Sequence, residues 1–297
     1  MSGSASWIVS AAGAVLLLTA LRDVFHTLWH PGGRGEASRR VSALLWRVSR
    51  RAGGRAAAVA GPLALVVVAA GWAMAIVVGW ALIYWPFLPQ GFSYSGTLDP
   101  AQRAGFLDAL YLSLVTLSTL GFGDIVPVDG WLRAVTPLEA LVGFALLTAV
   151  VSWISQVYPA LTRRRTLALR LAALRGAEYP ADRFDPATTA HLLSDLAADV
   201  IEVRVDFVQH AETYYFYDGD GDASLAAMAG YAVDLAVRGQ TSARIEVRTA
   251  AAMLARALED LAAVLNQEFL HVDTDEPSRV LRAYETDHAG GSRPARG

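Results

Sequence analysis

The stretch YLSLVTLSTLGFGDIVP, residues 111–127, decides how this chain is read. It closes an apolar segment, residues 106–117, that is too short to cross a bilayer, and a long apolar run over residues 131–158 follows it. Non-helical backbone at membrane depth is tolerated only where it is buried in protein or lines a water-filled path. The backbone in question is Thr119-Leu120-Gly121-Phe122-Gly123-Asp124, whose alternate glycines accept conformations of either hand. In isolation two glycines and an acid read as a common turn. The flanking segments separate the two readings.

Composition points the same way. The 297 residues are 54% hydrophobic and only 18% charged, with a mean hydropathy of +0.35, above the usual soluble range. All 25 basic residues are Arg, and the net charge of −3 conceals strong local asymmetry. With no cysteine, disulfides and thiolate metal sites are excluded.

Working outward, residues 8–29 read as a retained transmembrane helix rather than a signal peptide, because the basic start is missing and Arg22-Asp23 is a poor cleavage site. The connector after it carries Arg34, Arg39, Arg40, Arg47, Arg50, Arg51 and Arg55 against Glu36 alone. Val41, Leu44, Leu45 and Val48 share a helical face there, beside Trp46, which predicts an interfacial helix on anionic lipid; a plain charged linker is the alternative. Residues 62–87 form the clearest span, closed by Trp80, Tyr84, Trp85 and Pro86. Residues 91–97 read as an exposed polar loop. Placing the basic connector and Arg163, Arg164 and Arg165 inside puts the N-terminus and the glycine turn outside, so three spans and one re-entrant segment satisfy both charge clusters.

From about Leu167 the chain reads as a helical cytoplasmic domain, with helices over residues 186–215, 225–238 and 245–269. No glycine-rich loop follows a strand there, so a nucleotide-binding regulatory domain is unsupported. Residues 287–297 read as a disordered tail.

The hexapeptide TLGFGD, with its short helix before and long helix after, resembles the selectivity filter of potassium channels, whose family form is TVGYGD or TVGFGD. The resemblance covers about a third of the chain and implies an all-α membrane protein with a homotetrameric pore: outer helix, re-entrant pore helix, filter and inner helix, preceded by an extra transmembrane helix. The expected divisions are 1–30 for that helix, 31–61 for the basic linker, 62–159 for the pore domain, 160–271 for the helical domain and 272–297 for a tail, at least partly disordered. Carried onto matching positions, the backbone carbonyls of Thr119, Leu120, Gly121 and Phe122 and the Thr119 hydroxyl coordinate dehydrated potassium, Gly123 completes the filter, and Asp124 stands at the outer mouth. Gly143 falls at the family's inner-helix hinge, or it serves close packing instead. Leu147 and Val151 match cavity-lining positions, and Gln156 and Pro159 the cytoplasmic constriction. Three departures stand out: Leu120 for the commoner Val, Phe122 for the commoner Tyr, and Val115 where some members place a Glu that pairs with the mouth aspartate.

The implied function is passive potassium conduction across the cell's inner membrane, with an open or closed state set by inner-helix movement and an unidentified gating ligand. The implied partners are three identical subunits and anionic lipid, with no nucleic acid, and potassium ions are permeant ligands rather than cofactors. A weakly selective cation channel and a non-conducting sensor or structural protein are the alternatives, and no catalytic residues can be assembled into an enzyme site. Two smaller motifs are ambiguous. Asp23, His26 and His30 are spaced to share a helix face and hold a proton or divalent ion, or to form an interfacial polar cap. Asp218-Gly219-Asp220-Gly221-Asp222 begins like a calcium loop, but Ala223 and Ala229 occupy the places of its turning Gly and closing Glu, so a solvated turn capping the next helix is expected.

Overall fold

The computed structural model describes residues 3–28, 35–52, 54–96, 99–177, 185–219 and 221–289. Nine α-helices dominate these described residues: α1 Gly3–Leu28, α2 Glu36–Ala52, α3 Gly54–Tyr84, α4 Phe106–Leu117, α5 Gly130–Gly176, α6 Pro186–Gln209, α7 Leu225–Gln240, α8 Ile245–Leu265 and α9 Pro277–His288. Three of them, α1, α3 and α5, are long and apolar enough to cross a membrane. The protein is an all-α, membrane-embedded chain. At about 1.5 Å per residue, the 47 residues of α5 extend roughly 70 Å, more than twice a hydrocarbon core. Only its apolar first part suits the membrane.

The chain divides into two compact units. The first contains α1, α3 from Val66, α4 and α5 as far as Ile154. Here α1 crosses α3 at a pair of glycines: a Cβ on Gly13 would lie 2.5 Å from the Gly79 carbonyl oxygen, so only glycine permits this approach. The Ser10 hydroxyl bonds the Ile83 carbonyl at 3.3 Å, and Trp72 Nε1 donates to Asp23 at 2.8 Å. The expected polar loop contains a strand, β1 Phe92–Tyr94, antiparallel to β2 Ile125–Pro127 with Ser93 opposite Val126. Phe92 and Ile125 are buried, which is why this segment is not a free loop.

The second unit contains α2 from Arg39, α3 up to Leu65, α5 from Ser155, and α6 to α9. Residues 62–65 and 155–159, expected within a pore domain, group here instead: a Cβ on Gly61 would meet the Phe216 ring at 2.5 Å, and Val157 and Ala160 are buried. The core is built on Leu196, Val200, Phe207, Leu254 and Leu261. The helix starting at Pro186 ends at Gln209 rather than Tyr215, and a 3-10 turn, Ala211–Tyr215, buries Tyr214 against Phe269 with ring centroids 4.2 Å apart. The helix expected to reach Phe269 closes at Leu265 with a π turn, Asn266–Leu270.

The C-terminal tail needs correcting as well. Residues 277–288 form α9, because Val280, Leu281 and Tyr284 make one apolar face that is fully buried; residues 290–297 lie outside the described residues.

Two of the three arginines at 163–165 serve this unit. Arg163 makes a two-pronged pair with Asp206, while Arg164, 2% exposed, donates to the Thr213 carbonyl at 2.6 Å, the Phe216 carbonyl at 3.0 Å and Asp218 at 2.6 Å. Two members of the acidic run are thereby engaged in ion pairs. Asp218 serves Arg164, Asp222 pairs with Arg175 at 2.6 Å, and Asp220 lies outside the described residues.

Candidate functional site

The site grows out of α4. Asp108, in its first turn, accepts from the Gly105 amide at 3.1 Å, and Ala109, Leu112, Ser113 and Leu117 turn into the first unit. At the other end the Val115 carbonyl gathers the Ser118 hydroxyl at 3.2 Å and the Leu120 amide at 3.0 Å, while the Thr119 amide returns to the Thr116 carbonyl at 2.9 Å. The chain therefore leaves the helix under tight local control.

Beyond this point every second residue adopts a left-handed backbone: Thr119 at φ 59°, Gly121 at 52° and Gly123 at 73°. Such alternation lets successive carbonyls turn to one side instead of alternating as they do in a strand. It is free at the glycines. At the β-branched Thr119 it costs about 1–3 kcal/mol, the kind of strain found at functional positions. The sequence pointed to the glycines alone.

Asp124 is held from three directions. Its carboxylate accepts the Tyr111 hydroxyl at 2.7 Å, its carbonyl accepts the Ser95 amide at 2.9 Å, and β2 begins at the next residue. Tyr111 stands one helical turn before Val115 on α4. The Ser95 hydroxyl lies 3.4 Å from the Gly123 carbonyl, which sets that carbonyl apart from the preceding four.

A feature the sequence reading overlooked lies behind this turn. Glu139 of α5 is wholly buried; its carboxyl accepts from the Tyr84 hydroxyl of α3 at 2.7 Å and meets the Ser113 hydroxyl of α4, which also bonds the Val77 carbonyl at 3.0 Å. The available signal was a single carboxylate inside the apolar run at residues 131–158, since an ionisable residue in a span rarely lacks a partner or a purpose.

The other expected positions fall as follows. Gly143 packs against the end of α4, where a Cβ would come within 2.0 Å of the Leu117 carbonyl oxygen, and α5 runs through it as unbroken helix. Leu147 and Val151 are exposed on the first unit's part of α5, and Gln156 and Pro159 are exposed on the second unit's part. Of the trio Asp23, His26 and His30, Asp23 accepts from Trp72 at 2.8 Å, the His26 ring bonds the Arg22 carbonyl at 2.8 Å, and His30 lies outside the described residues. Among the described residues no cluster of His, Asp or Glu is arranged to hold a metal.

Residues 64–158 match the protein-family model described as "Ion channel". The chain is 32% identical to "Uncharacterized membrane protein YdjJ" of Bacillus subtilis (strain 168) over 167 residues, 55% of this chain and 48% of that protein. It is 25% identical to "Putative potassium channel protein RPA4233" of Rhodopseudomonas palustris (strain ATCC BAA-98 / CGA009) over 133 residues, 44% of this chain and 32% of that one. It is 34% identical to "Protein LctB" of Bacillus caldotenax over 85 residues, 27% of this chain and 63% of that one. Each match spans less than two thirds of the relative's own length. No solved structure matches the chain. These similarities support an ion channel and point to a non-enzymatic protein.

Proposed function

We propose that this chain, similar to ion channels over residues 64–158, conducts potassium passively and selectively as a homotetramer in the cell's inner membrane. The observation that carries the reading is the left-handed backbone at Thr119, Gly121 and Gly123, set between a short helix and a braced Asp124. In a four-fold ring the carbonyls of Thr119, Leu120, Gly121 and Phe122, with the Thr119 hydroxyl, replace the water around a dehydrated potassium ion. Asp124 concentrates cations at the outer mouth, and the C-terminal dipole of α4 favours a cation in the cavity lined by Leu147 and Val151.

Exposed apolar surface supports the assembly. Leu120 and Phe122 are 63% and 66% exposed, and a recess of about 330 Å³ opens beside them between Tyr111, Val115, Pro137 and Ala140. Leu141, Phe144, Leu147 and Val151 continue that surface along α5. Apolar area of this kind needs either lipid or further copies of the chain. Opening follows movement of α5 near Gln156 and Pro159, with the N-terminus outside and the helical unit in the cytoplasm.

The test is the reversal potential of purified protein in a planar bilayer with potassium on one side and sodium on the other. Strong potassium preference that collapses in Gly121→Ala supports the reading. Nearly equal permeabilities replace it with a weakly selective cation channel. A native mass equal to one chain rules out the ring.

A further inference from the structure

One cavity is lined entirely by residues of the second unit. It measures about 820 Å³, within the range of small-ligand pockets, and α2 lines one wall with Arg39, Arg40, Arg47, Arg50 and Arg51. The helical positions of these arginines fall on one face of α2. The opposite wall brings Tyr215, Phe269 and His271.

Five arginines line this cavity against two acids, Glu268 and Asp287. Asp287 already accepts from Trp46 Nε1 at 3.0 Å, from the Tyr214 hydroxyl at 2.7 Å and from Arg50. Arg47 spends its Nε on the Ala43 carbonyl, and Arg39 and Arg51 have no ion pair among the described residues. Tyr215 is 6% exposed, lines the same cavity, and its hydroxyl has no hydrogen bond among the described residues. Burial pushes that hydroxyl's pKa up, while the charges of Arg39 and Arg47, which line the same cavity, pull it back.

We propose that this cavity binds a multiply charged, phosphate-bearing anion. Guanidinium groups match phosphate oxygens in paired hydrogen bonds, several can share one polyanion, and the Tyr215 hydroxyl supplies a neutral donor at the floor. A soluble phosphorylated molecule and a phospholipid headgroup present the same chemistry. The second source has a further argument on α2 itself. Leu44 and Val48, each 55% exposed, lie on a face adjoining the arginines, whereas Trp46, expected beside the lipid-facing residues, is buried.

The test is calorimetric titration of the full chain, in a neutral detergent, with inorganic pyrophosphate. Saturable binding is expected, weakened about tenfold or more in Arg39→Gln/Arg51→Gln and partly retained in Arg39→Lys/Arg51→Lys, with unchanged thermal unfolding in both. Competition by short-chain phosphatidylglycerol but not phosphatidylcholine assigns the site to a lipid headgroup; pyrophosphate binding without such competition assigns it to a soluble ligand. Absence of saturable binding by both anions, or binding indifferent to the glutamine substitutions, overturns the proposal. No ion flux is measured, so the outcome is independent of conduction.

Discussion

The Tyr84 hydroxyl donates to Oε2 of Glu139 across 2.7 Å, joining α3 to α5 where Glu139 has no exposure to solvent. Ser113 brings α4 to the same carboxyl, and its single hydroxyl proton serves both Glu139 and the Val77 carbonyl. Three helices that frame the glycine turn thus share one polar junction. Buried groups of this sort are costly when one partner is removed and tolerant when the pattern of donors is kept.

Glu139→Gln is therefore expected to be mild. An amide at position 139 still accepts from Tyr84, and its N–H donates to Ser113, freeing the serine proton for Val77. A loss within about 1 kcal/mol is expected, against about 3 kcal/mol for Glu139→Ala, which strands two hydroxyls and opens a cavity. Unfolding midpoints in detergent check this. Equal losses in the two variants would falsify the junction as described.

Tyr111→Phe removes the hydroxyl that steadies Asp124. A charge-assisted bond of this kind contributes about 1.5–3 kcal/mol. The variant should retain its assembly but discriminate less between potassium and sodium in bi-ionic recordings. Unchanged selectivity would mean that the backbone bonds from Ser95 and β2 suffice to hold the mouth.

Gly143→Ala separates hinge from packing. A hinge glycine replaced by Ala should gain helix propensity and keep a stable fold. Because the added Cβ meets the Leu117 carbonyl oxygen at 2.0 Å, a destabilisation of about 1–3 kcal/mol is expected instead, visible as a lower unfolding midpoint.

The second unit has a built-in acid sensitivity. His288 is buried, with its Nε2 at 2.8 Å from the Tyr214 carbonyl, and burial first, then the Arg164 charge, pushes its pKa down to about 3 from the usual 6.5. The unfolded chain takes up a proton as pH falls below 6.5, while the folded chain does so only near 3. Stability present above pH 6.5 is therefore lost on acidification, at up to about 1.4 kcal/mol per pH unit from this group. Comparing the unfolding of wild type and His288→Gln from pH 7 to 4.5 should show the difference between them shrinking or reversing as pH falls.

Much of the pore region could be read from residue order because its signals are local. Apolar runs mark spans by length, and the TLGFGD turn sits between them at fixed spacing. What escaped was carried by contacts distant in sequence. The Tyr84–Glu139 bond spans 55 residues, and the pairing of β1 with β2 depends on a strand of only three residues, below the length at which alternation is detectable. Arg164 looked like a topology marker within a basic run, yet tertiary structure makes it the buried anchor of a turn 49 to 54 residues away. α9 was missed because its charged residues masked a narrow apolar face.

Among the described residues the glycine turn is braced by the Val115 carbonyl before it, by Tyr111 and Ser95 at Asp124, and by β1 alongside β2. All of these braces lie within residues 91–127, so one short stretch of polypeptide carries both the turn and the contacts that hold its two ends, and nothing distant in sequence is needed to bring them together.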